Sequence, residues 1–184
     1  LETEDAKNAL ALLKASFPET GYHCFLESRI DELCGDWEES VRMGERALSR
    51  DDLLPWQRSM AHNILGHTYR LLGDPRAAAQ HYLASARMRG SSATGDDTLA
   101  VQDYSNYLFT IHNLPLSREE MFSRIRAYGT YFSSVKPYAH ERRPRHQKLR
   151  IGYLSPMFIE NVTSYFLAQL LTLYDRDRYE VYCY

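Results

Sequence analysis

The 184 residues include only three cysteines, Cys24, Cys34 and Cys183, and their spacing matches no zinc-ligand pattern. An odd, scattered set of thiols fits a reducing compartment, so the expected location is the cytoplasm, or also the nucleus in a eukaryote. There is no apolar run of about eighteen residues, no signal peptide and no lipidation motif, so no membrane partner is expected. The chain begins on Leu1 rather than Met, as a processed or excised segment does, which is compatible with a targeting sequence upstream. Lysine is scarce: four against eighteen arginines, within a net charge of −2. That balance gives no global attraction for nucleic acid or an acidic membrane. No glycine-rich phosphate cradle, Ser-His-Asp set or carboxylate pair is readable, so the chain itself is expected to hold no cofactor and no metal.

What is present is helical periodicity. Ala6, Ala9, Leu10 and Leu13 recur at helical spacing, and Phe17 to Gly21 ends that run. Further helices are expected over Tyr22–Leu33, Trp37–Ser49, Trp56–Leu72 and Arg76–Met88. Pro55 suits a first turn. The breaks Leu33-Cys34-Gly35-Asp36 and Leu71-Leu72-Gly73-Asp74 stand 38 residues apart, each between two helices. A tetratricopeptide repeat has a period of about 34 residues, and a few inserted around Asp51 to Leu54 account for the difference. The second unit resembles that repeat: Leu65, Gly66 and Tyr69 lie on its first helix, Ala78 and Tyr82 on its second. Gly66 and Ala78 are small where helices press together. The first unit is degenerate, with Ser28 and Ser40 at the small positions. Thr98–Ile111 reads as the leading helix of a third unit. Ser117 with Glu120 forms a capping box for a helix running to about Ser133.

After a basic linker, 134–148, the style changes. Leu149 to Ser155 reads as a buried strand, Pro156 to Val162 as a loop and Thr163 to Tyr174 as a helix. Arg178 to Tyr184 is a second strand. Such short connections make a parallel βαβ unit. Two strands and a helix do not close a core, so more chain is expected after Tyr184. The fold class is therefore mainly α: tetratricopeptide-like helix pairs over 1–133, then the opening of a Rossmann-like α/β lobe over 149–184.

Asp103 to Tyr184 resembles the junction of repeats and catalytic region in O-linked N-acetylglucosamine transferases. Three segments carry this: Tyr104-Ser105-Asn106-Tyr107-Leu108; Leu116-Ser117-Arg118-Glu119-Glu120-Met121-Phe122; and Leu149 to Ser155, continuing through Thr163-Ser164-Tyr165-Phe166-Leu167 to Tyr179-Glu180-Val181-Tyr182-Cys183-Tyr184. The resemblance implies a parent enzyme that moves a sugar from UDP-N-acetylglucosamine to Ser or Thr of proteins, with repeats that bind the acceptor polypeptide. It also implies two Rossmann-like lobes, with the nucleotide mainly on the second. The family loop after the first strand usually reads Asp-Phe-x-x-His, and here it is Met157-Phe158-Ile159-Glu160-Asn161. Asn161 stands at the position of the family His but takes up no proton near neutral pH. Either this member uses another group, or the parent is weak or an inactive scaffold, or the sequence was changed here. Asn161 is equally well read as a helix N-cap.

Asn63, His67 and Arg70, with Met60, recur on one side of a leading helix, the side that lines the groove of such arrays. With Asn106 on the next leading helix, they are the candidate contacts for polypeptide. Groove residues of this kind are also often only solvated. His62 and His67 are five residues apart on different helix faces, which argues against a metal pair and for ordinary packing. The basic stretch from His140 to Arg150 reads as a solvated connector rather than a nucleic-acid site, since aromatics do not interleave beyond Tyr138.

Overall fold

Two glycines in the left-handed region turn the first two helix pairs: Gly35 at φ +83° and Gly73 at φ +79°. In both, the same double cap closes the preceding helix. Asp36 N–H donates to Asp31 O and Asp74 N–H to Tyr69 O, both at 2.9 Å. Inside each of these bonds, Gly35 and Gly73 donate to the carbonyls three residues back, Glu32 O and Arg70 O. This is the Schellman arrangement, and only glycine enters it without a Cβ penalty.

The computed structural model describes residues 2–90, 97–133, 135–136, 139, 146–155, 158–159 and 162–184. These form two compact units, Leu1–Lys136 and Pro137–Tyr184. The first holds α1 (Glu2–Ser16), α2 (Gly21–Cys34), α3 (Trp37–Leu48), α4 (Pro55–Leu71), α5 (Pro75–Gly90), α6 (Asp97–Ile111) and α7 (Arg118–Tyr128). A 3-10 turn, Gly129–Phe132, follows α7. The helix expected to run on to Ser133 thus tightens at Gly129, as helix ends often do. The Ser117–Glu120 capping box is formed, with Glu120 N–H donating to Ser117 Oγ at 3.1 Å.

Neighbouring helices pack in sequence, α2 on α3, α3 on α4, α4 on α5 and α5 on α6. One apolar cluster joins Cys24 and Phe25 to Met43, Ala47, Ala61 and Ile64. A second joins Ala78, Tyr82 and Ala86 to Tyr104, Tyr107 and Ile111, with Met121 and Tyr128 of α7 against it. The small positions explain how helices approach. A Cβ on Gly66 would lie 2.9 Å from two carbons of the Tyr82 ring. In the degenerate first unit, Ser28 and Ser40 replace that contact with a reciprocal bond: each hydroxyl donates to the other residue's carbonyl at 2.8 Å. The inserted loop folds back over α2, where both Asp52 carboxylate oxygens accept from Gly21 N–H at 3.0 Å.

In the second unit β1 (Leu149–Tyr153) pairs in parallel with β2 (Tyr179–Cys183), in register Leu149↔Tyr179 through Tyr153↔Cys183. Helix α8 (Val162–Thr172) lies between them in sequence. It stops two residues before Tyr174, and a turn at Asp175 follows, whose Oδ1 accepts from Asp177 N–H at 2.9 Å. Across the strands Arg150 pairs with Glu180 at 2.7 Å.

Gly66→Ala should destabilise the protein by about 1 kcal/mol in urea unfolding. The helix-propensity gain of alanine is about 1 kcal/mol, and pushing Tyr82 aside costs more. An alanine variant more stable than the parent would show that the ring yields freely.

Candidate functional site

The leading helices α4 and α6 carry the side chains marked by the sequence as groove residues, and Asn63 and His67 of that set are used to tie the helices together. Asn63 Nδ2 of α4 donates to Asp103 Oδ1 of α6 at 2.6 Å. Asp103 is only 3 % exposed. Its other oxygen accepts from the Ser85 hydroxyl at 2.6 Å and pairs with Arg89 Nε at 2.9 Å, both on α5. The same Ser85 hydroxyl lies 2.8 Å from Ser59 O, so its single proton is shared between that carbonyl and the carboxylate, closing the network back onto α4.

His67 reaches the other way. Its Nδ1 lies 2.5 Å from Glu32 Oε1 on α2, so Nδ1 carries the proton while the carboxylate is ionised. Glu32 is also paired with Arg29. Beneath these, the Ser40 and Thr68 hydroxyls lie 3.3 Å apart, again between the first and second pairs. Asn63 and His67 are therefore rungs between successive leading helices.

Arg70 and Asn106 are placed differently. Arg70 is exposed, and its guanidinium stands beside the buried Tyr82 hydroxyl, offsetting part of the rise that burial imposes on that phenol. Asn106 is half-buried, and Thr110 donates to its carbonyl at 2.8 Å. Among the described residues no group hydrogen-bonds the Asn106 side-chain amide. The Asn106 amide is thus open to a ligand, while Arg70, hydrogen-bonded to Tyr82 but exposed, keeps its remaining N–H donors for one. Asn161, Met157 and Glu160 lie outside the described residues. Phe158 and Ile159 of the same loop are described, and Ile159 is exposed.

The histidines show what the sequence did not signal. His62 Nδ1 and His81 Nδ1 are 3.0 Å apart, from α4 to α5, so one ring donates to the other. Tyr69 stacks on His81 with centroids 5.4 Å apart, and its hydroxyl donates to Glu45. Burial lowers both imidazoles. In His62 this, with the neighbouring His81 and Arg58 charges, brings the pKa to about 4. Among the described residues no three His, Cys, Asp or Glu gather as a metal set, and no helix is long and apolar enough to cross a membrane.

Two consequences are measurable. Asp103→Ala should cost about 3–5 kcal/mol, because it strands Arg89 and Ser85 in a closed site. Asn63→Ala should cost nearer 1 kcal/mol. Equal effects in chemical denaturation would show that the carboxylate is not the hub. The His62 shift gives a pH dependence with a definite sign. Its folded pKa lies below the unfolded 6.5, so the unfolded chain binds more protons in acid. Stability is then full above pH 6.5 and falls as pH drops towards 4, by up to about 3 kcal/mol. His62→Gln should flatten that slope, and an unchanged slope would place the acid sensitivity elsewhere.

No protein-family model matches the chain, and no curated protein matches it in sequence. Among solved structures, it is similar to a mutant of the O-GlcNAc transferase of Thermobaculum terrenum, with a TM-score of 0.58 and 20 % identity over 96 % of this chain. The alignment covers 32 % of that structure, so the chain spans about a third of its length. At that identity the likeness is one of fold: tetratricopeptide-like helix pairs of the kind found in an O-GlcNAc transferase.

Proposed function

We propose that residues 1–184 are the acceptor-binding repeats and the first part of the catalytic region of a protein O-glycosyltransferase. The parent would move N-acetylglucosamine from UDP-N-acetylglucosamine to a Ser or Thr hydroxyl, releasing UDP and a proton. The observation that carries this is the order of parts. Tetratricopeptide-like helix pairs run into a parallel βαβ unit, and 96 % of the chain aligns with a transferase fold. Resemblance in the three segments from Tyr104 to Tyr184 supports the same reading.

Chemically, the leading helices offer a surface of amides, imidazole and guanidinium rather than an enclosed pocket. Such a surface suits an extended polypeptide, whose backbone needs donors and acceptors at regular intervals. Asn106 and Arg70 would make the direct contacts. Asn63 and His67 would present what remains of their hydrogen-bonding capacity while they hold the helices in place. Catalysis would need a second lobe to hold the nucleotide. A single strand–helix loop supplies at most one wall of a cleft.

One observation favours a second reading, a non-catalytic polypeptide-binding scaffold. Met157 and Asn161 remove a carboxylate and an imidazole from the loop where the family places them. Neither replacement takes up a proton near neutral pH.

Residues 1–184 alone should transfer no radiolabelled N-acetylglucosamine and should bind UDP weakly or not at all by calorimetry. An acceptor polypeptide should still bind, about tenfold more weakly to an Arg70→Ala/Asn106→Ala variant with unchanged melting temperature. Turnover or tight UDP binding would put the active site elsewhere. Unaltered polypeptide binding by the variant would remove the groove assignment. An active full-length parent excludes the scaffold reading. In it, Asn161→His should alter the rate more than the nucleotide affinity.

A further inference from the structure

The crevices between successive trailing helices differ along the array. Between α3 and α5 the crevice is filled by Glu45, Tyr69, His62 and His81. Between α5 and α7 it is open. A cavity of about 370 Å³ is lined by Arg76, Gln80, Leu83, Tyr107, Leu116 and Arg124. A second, of about 470 Å³, adjoins it through Leu83, Tyr107 and Arg124 and extends to Arg87 and Tyr104.

The lining carries more arginine than acid: Arg76, Arg87 and Arg124 against Glu120. Among the described residues, no carboxylate lies within ion-pair distance of the Arg76, Arg87 or Arg124 guanidinium. The one acid in the lining, Glu120, accepts from the Ser117 backbone N–H at 2.8 Å and lies close enough to Arg124 to feel its charge, so it offsets part of that arginine and leaves Arg76 and Arg87 uncompensated. Tyr107 is 6 % exposed and packs edge-on against Tyr104. Among the described residues nothing hydrogen-bonds its hydroxyl, and that oxygen is not enclosed: it is open to solvent where Tyr107 lines both cavities, so it can donate to a ligand. Arg76, Leu83 and Arg87 lie along one side of α5, and Arg76 and Arg87, three helical turns apart, are separated by about 16 Å along its axis. An extended segment of about five residues covers that length.

We propose that the α5–α6–α7 crevice binds an acidic polypeptide segment, with carboxylates about four residues apart meeting Arg76 and Arg87 and an apolar side chain between them on Leu83. Arg124 and the Tyr107 hydroxyl close over the segment from α6 and α7. Guanidinium–carboxylate pairing supplies the charge preference. The length and the Arg–Leu–Arg order select a polypeptide over a compact anion. This surface is separate from the groove residues Arg70 and Asn106, and it does not depend on sugar transfer.

The test is fluorescence anisotropy on residues 1–184 with a dye-labelled peptide whose core is Glu-Gly-Leu-Gly-Glu, beside versions with Gln or Lys in place of Glu. The Glu peptide should bind at least tenfold tighter than either. Arg76→Ala/Arg124→Ala should weaken it at least tenfold and Tyr107→Phe about fivefold, with helicity and melting temperature retained, while Arg70→Ala leaves it unchanged. Equal binding of the Gln peptide would overturn the proposal, and so would an unaffected double arginine variant. Full competition by millimolar inorganic phosphate would reduce the crevice to a simple anion hole and overturn the polypeptide assignment. Loss on Arg70→Ala would assign the binding to the groove instead.

Discussion

A carboxylate on one helix enclosed by two others must find partners on both, and Asp103 does. Its oxygens take an amide from α4, and a hydroxyl and a guanidinium from α5, while its own backbone belongs to α6. Ionised and unpaired, such a group would cost several kcal/mol. Paired, it fixes the positions of three helices at once. The second apolar cluster is built around the same helices. Its aromatic members, Tyr104 and Tyr107, therefore have a defined place to stand. The open crevice beneath α7 and the groove amide of Asn106 are both set by how α6 is held.

The same logic runs weaker at the other end of the array. Where the second pair uses Gly66 against the Tyr82 ring, the first uses two serines whose hydroxyls bond each other's backbone. A glycine gives close approach by having no side chain. A serine pair gives it by converting two side chains into cross-links. The first pair also needs Asp52 to cover the start of α2, which explains why residues inserted between the units fold inward. Repeat arrays are stabilised by each unit's contact with its neighbours, so a degenerate unit survives when its links to the next are sound.

Which parts of this were legible in the sequence follows from the range of the interactions. Gly35 and Gly73 announce helix ends because a left-handed cap is a local demand on one residue. Ser117 and Glu120 do the same for α7. The strand-like stretches Leu149 to Ser155 and Arg178 to Tyr184, with a helix and short connections between them, carry parallel pairing, because only a crossover joins parallel strands. Asp103 gave no such signal: an acid in a polar stretch of helix reads as solvated, and its amide partner lies forty residues away. The His62–His81 contact was hidden in the same way. Packing between successive helix pairs, not helical periodicity, brings those rings within 3.0 Å.

The candidate groove shows the limit of face-based reasoning. Asn63, His67 and Arg70 were grouped because helical geometry puts them on one side of α4, and that grouping says nothing about what each side chain meets. In the fold Asn63 turns to α6, His67 to α2 and Arg70 to the hydroxyl of Tyr82. A polar ladder along leading helices thus has two simultaneous duties. It neutralises buried groups between pairs, and it leaves the unused half of each amide or imidazole for whatever lies in the groove. A ligand recognised by such half-satisfied groups is held by many weak bonds spaced along the array. That arrangement favours a long flexible chain over a compact molecule, because the affinity is spread over length rather than concentrated in a pocket.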